Sequence, residues 1–232
     1  MALLKLISLE IRKHKLSGML KGFLYANLGL LAFILLIIFV EQGESDLTFA
    51  SYEELFDALF VFVKAVFIIF ASVLLCKLVI DEYKNNTVTL LFMYPIPRKK
   101  LMTAKLIIVF LFTFAAILIS DVVLGGILIG INYFVNIIPG NLSASLVTNE
   151  LYTIVMGALY AAGIGLIPLY VGMRKKSVPA TIVTAVLVVS TITSGFDQFR
   201  LGNLAAVSIS LGLLGIGIAY LSIRKVETED IA

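Results

Sequence analysis

Six stretches of this chain are apolar over roughly the length of one bilayer crossing, and nothing else in the sequence constrains its fold as tightly. A membrane-spanning helix needs roughly 20 mostly apolar residues. The stretches are 22–40, 58–80, 104–131, 151–171, 178–193 and 203–223, the fifth short and opened by Pro179. Lipid offers no partner to backbone N–H and C=O groups, so such stretches must bond internally as helices. The expected fold is an all-α membrane protein with six transmembrane helices, and residues 1–232 form a single transmembrane domain. At 60% hydrophobic and 14% charged residues, the composition excludes a soluble enzyme, a disordered chain and a nucleic-acid-binding domain.

Ahead of the first stretch lies a segment of different character. In 3–21, Lys5, Ser8, Arg12 and Lys15 recur at helical spacing, while Leu4, Ile7 and Ile11 fall on another face. That pattern describes an amphipathic helix lying in the membrane interface, with its basic residues toward anionic headgroups. The remaining basic residues set the topology. Lys84, Arg98, Lys99, Lys100 and Lys105 follow the second stretch, Arg174, Lys175 and Lys176 follow the fourth, and Arg224 and Lys225 follow the sixth. Lys77 belongs to the same side, Lys64 sits inside a stretch, and of the 18 lysines and arginines only Arg200 falls opposite. Lysine and arginine mark the cytoplasmic side, so both termini are expected there, in a multi-pass protein of the cell membrane. The longest outer loop, 41–57, carries Glu41, Glu44, Asp46, Glu53, Glu54 and Asp57 and no base. It reads as a solvated loop obeying the same topology rule, or as a negative field that gathers cationic solutes at the outer mouth.

The segment 81–105 is the most informative. It opens with Asp81 and Glu82, passes through Thr87, Leu90, Leu91, Phe92 and Met93, breaks at Pro95 and Pro97, and turns on Arg98, Lys99 and Lys100 toward Lys105. The apolar part is too short to cross a bilayer, and prolines end a helix. Its leucines either pack on the inner ends of the spans or remain exposed to a protein partner. In its order of acid, Thr, Leu-Leu, Pro-Ile-Pro-Arg and a lysine opening the next span, this segment resembles the first inner loop of type-2 ABC exporter permeases. The layout of the whole chain is similar to that family as well, most of all to permeases of peptide-antibiotic, bacitracin or lantibiotic export and immunity. The resemblance implies that 81–105 is a cytoplasmic loop whose coupling helix docks on an ATP-binding subunit, through Glu82, Thr87, Leu90, Leu91, Pro95, Pro97, Arg98 and Lys105. It also implies a second permease subunit, identical or related. The chain has no G-x-x-x-x-G-K-[ST] loop, so it does not bind ATP by a P-loop; the resemblance then implies that no cofactor is bound by this chain and that ATP and Mg are held by a separate partner ATPase.

Two charges fall inside spans. Lys64 is seven residues past Asp57, about 10 Å deep, and Asp121 is sixteen residues past Lys105, about 24 Å up a core of about 30 Å. These depths match. A pair or a wet cavity relieves the cost of a buried charge, whereas the alternatives are a snorkelling Lys64 and an Asp121 that caps a helix break near Gly125-Gly126. Small residues at Gly126/Gly130, Ala158/Ala162 and Ala161/Gly165 permit close helix approach, within one bundle or across a dimer seam. Pro168 is expected to kink the fourth span. Cys76 reads as a buried apolar residue and His14 as a headgroup-level residue. One cysteine excludes an internal disulfide and a multi-cysteine metal site, and one histidine excludes a two-histidine metal site.

The expected function is that of a permease subunit of an ATP-driven exporter, moving an amphipathic peptide, an antibiotic or another hydrophobic substrate, with no bond chemistry of its own. The alternatives are a non-transporting membrane sensor or scaffold, and an intramembrane enzyme. The last would need a histidine cluster, paired aspartates or a Ser-Lys dyad, and Asp121 alone supplies none of these.

Overall fold

The computed structural model describes residues 3–13, 17–41, 51–84, 98–135, 143–193, 195–196, 199–200 and 205–225. The first element, α1 (Leu3–Lys13), is amphipathic as expected. Lys5, Ser8 and Arg12 are exposed while Leu6 and Glu10 are buried. The interfacial helix is shorter than the expected 3–21, because a new helix, α2 (Ser17–Glu41), already begins at Ser17. α2 is apolar all round, as befits a helix in lipid, and Leu24, Tyr25, Leu28 and Phe39 on it are exposed. Its Asn27 amide nitrogen donates to the Phe23 carbonyl at 2.9 Å, which occupies one N–H of that side chain within the span, while its Oδ1 is buried with no partner among the described residues.

α3 (Tyr52–Leu75) is started by Ser51, whose hydroxyl accepts from the Glu54 N–H at 3.3 Å, with Glu53 and Glu54 placed against the positive end of the helix. It continues through a π-helical turn, Cys76–Ile80, into the short α4 (Asp81–Lys84). α5 (Arg98–Val135) is one unbroken helix of 38 residues, about 57 Å long at 1.5 Å per residue. It outruns the expected 104–131 at both ends. Gly125 and Gly126 do not interrupt it, so Asp121 caps no break there.

α6 (Ala144–Ile164) starts at Ser143, whose hydroxyl accepts from the Leu146 N–H at 3.2 Å. The Leu166 and Ile167 N–H groups then bond three residues back, to Gly163 and Ile164 at 3.0 Å. These tight bonds end the helix, and Pro168 opens α7 (Pro168–Lys175) at the position where a missing N–H costs nothing. The proline expected to kink the fourth span thus divides it. α8 (Val178–Thr193) matches the expected fifth stretch residue for residue. A two-residue hairpin, β1 (Gly195–Phe196) with β2 (Phe199–Arg200), leads to α9 (Ala205–Lys225).

α3 is the central post, packed against α5, α8 and α6, while α6 also packs along α9. Leu55, Leu59, Val63, Phe67, Ile117 and Leu124 build the core at one end of the bundle, and Leu75, Leu78, Ile80, Val109 and Leu169 build it at the other. The α6–α9 contact is unusually close. A Cβ on Gly163 would stand 2.6 Å from the Gly212 carbonyl oxygen, and one on Gly215 would overlap the Gly163 carbonyl. Backbone-to-backbone contact of this kind is the way membrane helices gain dispersion energy without a hydrophobic effect between them. The Gly126 and Gly130 pair plays no such part, since a Cβ on either would meet nothing within 4 Å. Ala158, Ala161 and Ala162 are buried as expected.

Candidate functional site

Two buried charge constellations stand out, one at each end of the bundle. The first forms at the end where Lys5, Arg12, Lys99 and Lys100 gather. Lys105 lies one to two turns into α5 and is only 2% exposed. Its ammonium donates to the Leu78 carbonyl at 2.7 Å and to the Glu82 carboxylate, and the Glu10 carboxylate stands 3.9 Å away. Leu78 sits in the π-helical turn, where the Asp81 N–H reaches back to Cys76 instead of to Lys77. One extra residue per turn re-aims carbonyls and side chains, and π turns recur at functional positions for that reason. A single cation therefore joins the interfacial helix, the end of the second span and the start of the third. Two carboxylates and a carbonyl satisfy most of what a buried ammonium needs.

Of the residues expected to couple this chain to a partner, the structure brings Glu82 and Lys105 together. Arg98 opens α5, and its side chain lies outside the described residues, as do Thr87, Leu90, Leu91, Pro95 and Pro97 entirely. Glu10 was not anticipated. Its signal was present, since Glu10 interrupts the apolar face of α1 beside Leu6, Ile7 and Ile11. A carboxylate on a face otherwise built for burial asks for a buried cation.

The second constellation is at the other end. Asp121 is 2% exposed, and neither of its carboxylate oxygens has a hydrogen-bond partner among the described residues. Lys64 is near enough for the two charges to act on each other, but among the described residues they make no ion pair. The Lys64 ammonium instead stands 4.0 Å above the Phe60 ring, a cation–π contact that partly replaces water. Asp57 acts on Lys64, Glu150 acts on Asp121, and Asp57 with Glu53 acts on Glu150. Lys64 and Asp121 thus lie within electrostatic reach of one another, in a charge cluster and not as a closed pair among the described residues.

Beside this cluster a cavity of about 340 Å³ opens between α3, α6 and α8, with an edge on α9. Phe60, Ile68, Met156, Tyr160, Ile164 and Val189 make its apolar walls, and Asp57 and Lys64 supply its charges. Phe60 is held close by Gly157, where any Cβ would strike the ring.

Changing Lys64 to Met and Asp121 to Asn, singly and together, measures the coupling. Charges that interact give a non-additive term of about 0.5–3 kcal/mol, whereas independent ones add. The double variant should keep more thermal stability in detergent than the sum of the singles allows. Strict additivity would show that the two charges ignore one another.

Cys76 is buried, with its thiol donating to the Val178 carbonyl at 3.8 Å, a structural contact. His14 lies outside the described residues. Among the described residues no group of histidine, cysteine and acidic side chains is placed to hold a metal ion.

Residues 6–191 match the family model described as "ABC-2 family transporter protein". The chain is also similar to the uncharacterized protein YcbO of Bacillus subtilis (strain 168), at 38% identity over 227 residues, covering 98% of this chain and all of that protein. No solved structure matches it.

Proposed function

We propose that this chain, which belongs to the ABC-2 family of transporter proteins, is the permease subunit of an ATP-driven exporter in the cell membrane. In this reading both termini face the cytoplasm and a second permease subunit, identical or related, completes the pathway. ATP and Mg are bound by a separate ATP-binding subunit that docks on the loop between α4 and α5. The cargo is an amphipathic peptide, an antibiotic or another hydrophobic molecule, and resistance or immunity is the biological role that would follow.

The observation that carries this reading is the Lys105 junction. Glu82 and Lys105 lie in the two helices that flank this loop, and the buried Lys105 ammonium ties both flanks to α1 and to the π turn. A displacement of the loop is then a displacement of the interfacial helix and of the second and third spans together. Interfaces held by such a discrete set of contacts shift between arrangements and do not deform smoothly. The basic end of the bundle faces the cytoplasm by the lysine and arginine rule, which puts the loop on the side where ATP is.

The test is ATPase stimulation in a reconstituted complex with the ATP-binding subunit. Glu82→Lys, or Leu90→Asp with Leu91→Asp, should bring hydrolysis down to the rate of the isolated ATP-binding subunit while membrane insertion is unchanged. Wild-type stimulation with wild-type assembly would remove the loop from the mechanism. A chain that never stimulates an ATPase would instead be a sensor or scaffold.

A further inference from the structure

At the basic end of the bundle, acids and bases are sorted by burial. Glu10 is buried and Asp81 and Glu82 are half-buried, whereas Lys5, Arg12, Lys21 and Lys100 are exposed. Among the described residues no acid at this end is exposed. α1 shows the same sorting within one helix. Its apolar side is already taken by protein. Leu6 and Glu10 are buried, Ile7 and Ile11 pack against the core at that end, and the helix lies along α5. At 3.6 residues per turn, Lys5, Leu9 and Arg12 share an arc of about 60° on the side turned away from α5. Leu9 is 48% exposed there. A leucine left exposed between two cations suits the boundary between headgroups and acyl chains. α2, whose apolar span opens at Gly18, begins at Ser17, within at most about 14 Å of chain from Lys13. That short tether keeps α1 at the bilayer surface, where lipid phosphate is the nearest abundant anion.

We propose that the Lys5–Leu9–Arg12 face of α1 binds the phosphate groups of anionic lipid, and that Glu10 passes this occupancy to the Lys105 junction. Leu9 enters the edge of the bilayer while the two cations hold headgroup phosphates beside it. Glu10 projects from another side of the same helix, 3.9 Å from the Lys105 ammonium, which also holds Glu82 and the Leu78 carbonyl. A headgroup that seats α1 thereby seats the carboxylate that α1 contributes to the junction. The charge of the adjoining leaflet then sets how firmly α1 and the ends of the second and third spans are held together. The inference goes beyond the exporter reading and needs no ATPase, since its ligand is the bilayer itself.

The chain contains no tryptophan, so Leu9→Trp places a single fluorophore on this face. The full chain is read in nanodiscs of phosphatidylcholine and phosphatidylglycerol, with the same mole fraction of brominated acyl chains carried by one lipid or by the other. Quenching should be about threefold stronger when the bromine is on phosphatidylglycerol, because each cation near an anionic surface adds to the attraction. Lys5→Gln with Arg12→Gln should bring the two lipids to parity. Arg174→Gln with Lys175→Gln, exposed cations on α7, should leave the preference intact. A second readout follows the junction. The wild-type chain should melt about 2–4 °C higher in the mixed nanodisc than in phosphatidylcholine alone. Both the Lys5 and Arg12 double variant and Glu10→Gln should lose most of that rise. Glu10→Gln should nevertheless keep the headgroup preference, because the binding face is untouched. If Glu10→Gln fails to assemble on gel filtration, the neutral set Glu10→Gln, Glu82→Gln and Lys105→Met tests the same step. Equal quenching by the two lipids, without the Lys5 and Arg12 changes, would overturn headgroup binding. No quenching by either would overturn the bilayer as the occupant and leave the face to the ATP-binding subunit. A full rise in melting temperature without the Glu10 carboxylate would overturn transmission to the junction.

Discussion

Gly215→Leu should abolish the folded bundle, with loss of a monodisperse species in detergent. Any Cβ at Gly215 overlaps the Gly163 carbonyl oxygen and comes within 2.7 Å of its carbon. The obstacle is backbone on a facing helix, so no side-chain rotation relieves it. α9 would have to move away from α6, and their contact is the most extensive between any two elements described. Over-packing in a closely packed interior costs about 1–3 kcal/mol when side chains can adjust. Here they cannot, and the cost should exceed that range. Gly215→Ala, with a single added carbon, should already lower the melting temperature. Gly217 provides the control, two residues along the same helix, because a Cβ there meets nothing within 4 Å. Gly217→Ala should be neutral or mildly stabilising, since alanine is favoured over glycine in a helix interior by about 1 kcal/mol. Equal melting temperatures for the Ala variants at 215 and 217 would show that the α6–α9 crossing is not held by glycine.

That contrast also marks what the sequence reveals and what it hides. Apolar length and the lysine–arginine pattern state every span, because lipid leaves helices as the only local solution. α8 at Val178–Thr193 could be read to the residue, bounded by the Lys176–Ser177 turn on one side and by polar Ser194 on the other. Which glycines form a close crossing is a different matter. Gly126 and Gly130 have the motif spacing but face open space, whereas Gly163, Gly212 and Gly215 touch only because α6 and α9 pack in one register. Register is a property of two helices together and leaves no mark on either alone. The same holds for the charges. The depths of Lys64 and Asp121 follow from counting residues at a fixed rise, but the turn of the Lys64 ammonium onto Phe60 depends on Gly157, far along the chain on α6 and adjacent only in space. Glu82 and Lys105 were legible as members of a loop pattern. Their meeting through a π turn, with Glu10 as the third member, was not, since periodicity does not announce a five-residue bond.

Lys105→Met should destabilise the chain by about 3–5 kcal/mol, the usual cost of removing one partner from a buried ion pair. Methionine fills nearly the same space as the lysine stem, so the effect is electrostatic and not a cavity. The Leu78 carbonyl loses the ammonium 2.7 Å away, and Glu82 and Glu10 lose the cation between them. Two carboxylates then repel each other in a poorly solvated junction. Chemical neutralisation identifies the cause. Adding Glu10→Gln and Glu82→Gln to Lys105→Met removes the repulsion, and this triple variant should recover much of the lost melting temperature, because a neutral set of the same shape avoids the desolvation of charge altogether. Function separates from stability in the same series. The triple variant is expected to fold but lacks the charged tie between α1 and the helices that flank the proposed docking loop. It should therefore keep a monodisperse elution profile and lose most of the ATPase stimulation seen with wild type. Full stimulation in the triple variant would assign the junction to stability alone. A single Lys105→Met variant as stable as wild type would show that the buried ammonium holds nothing together.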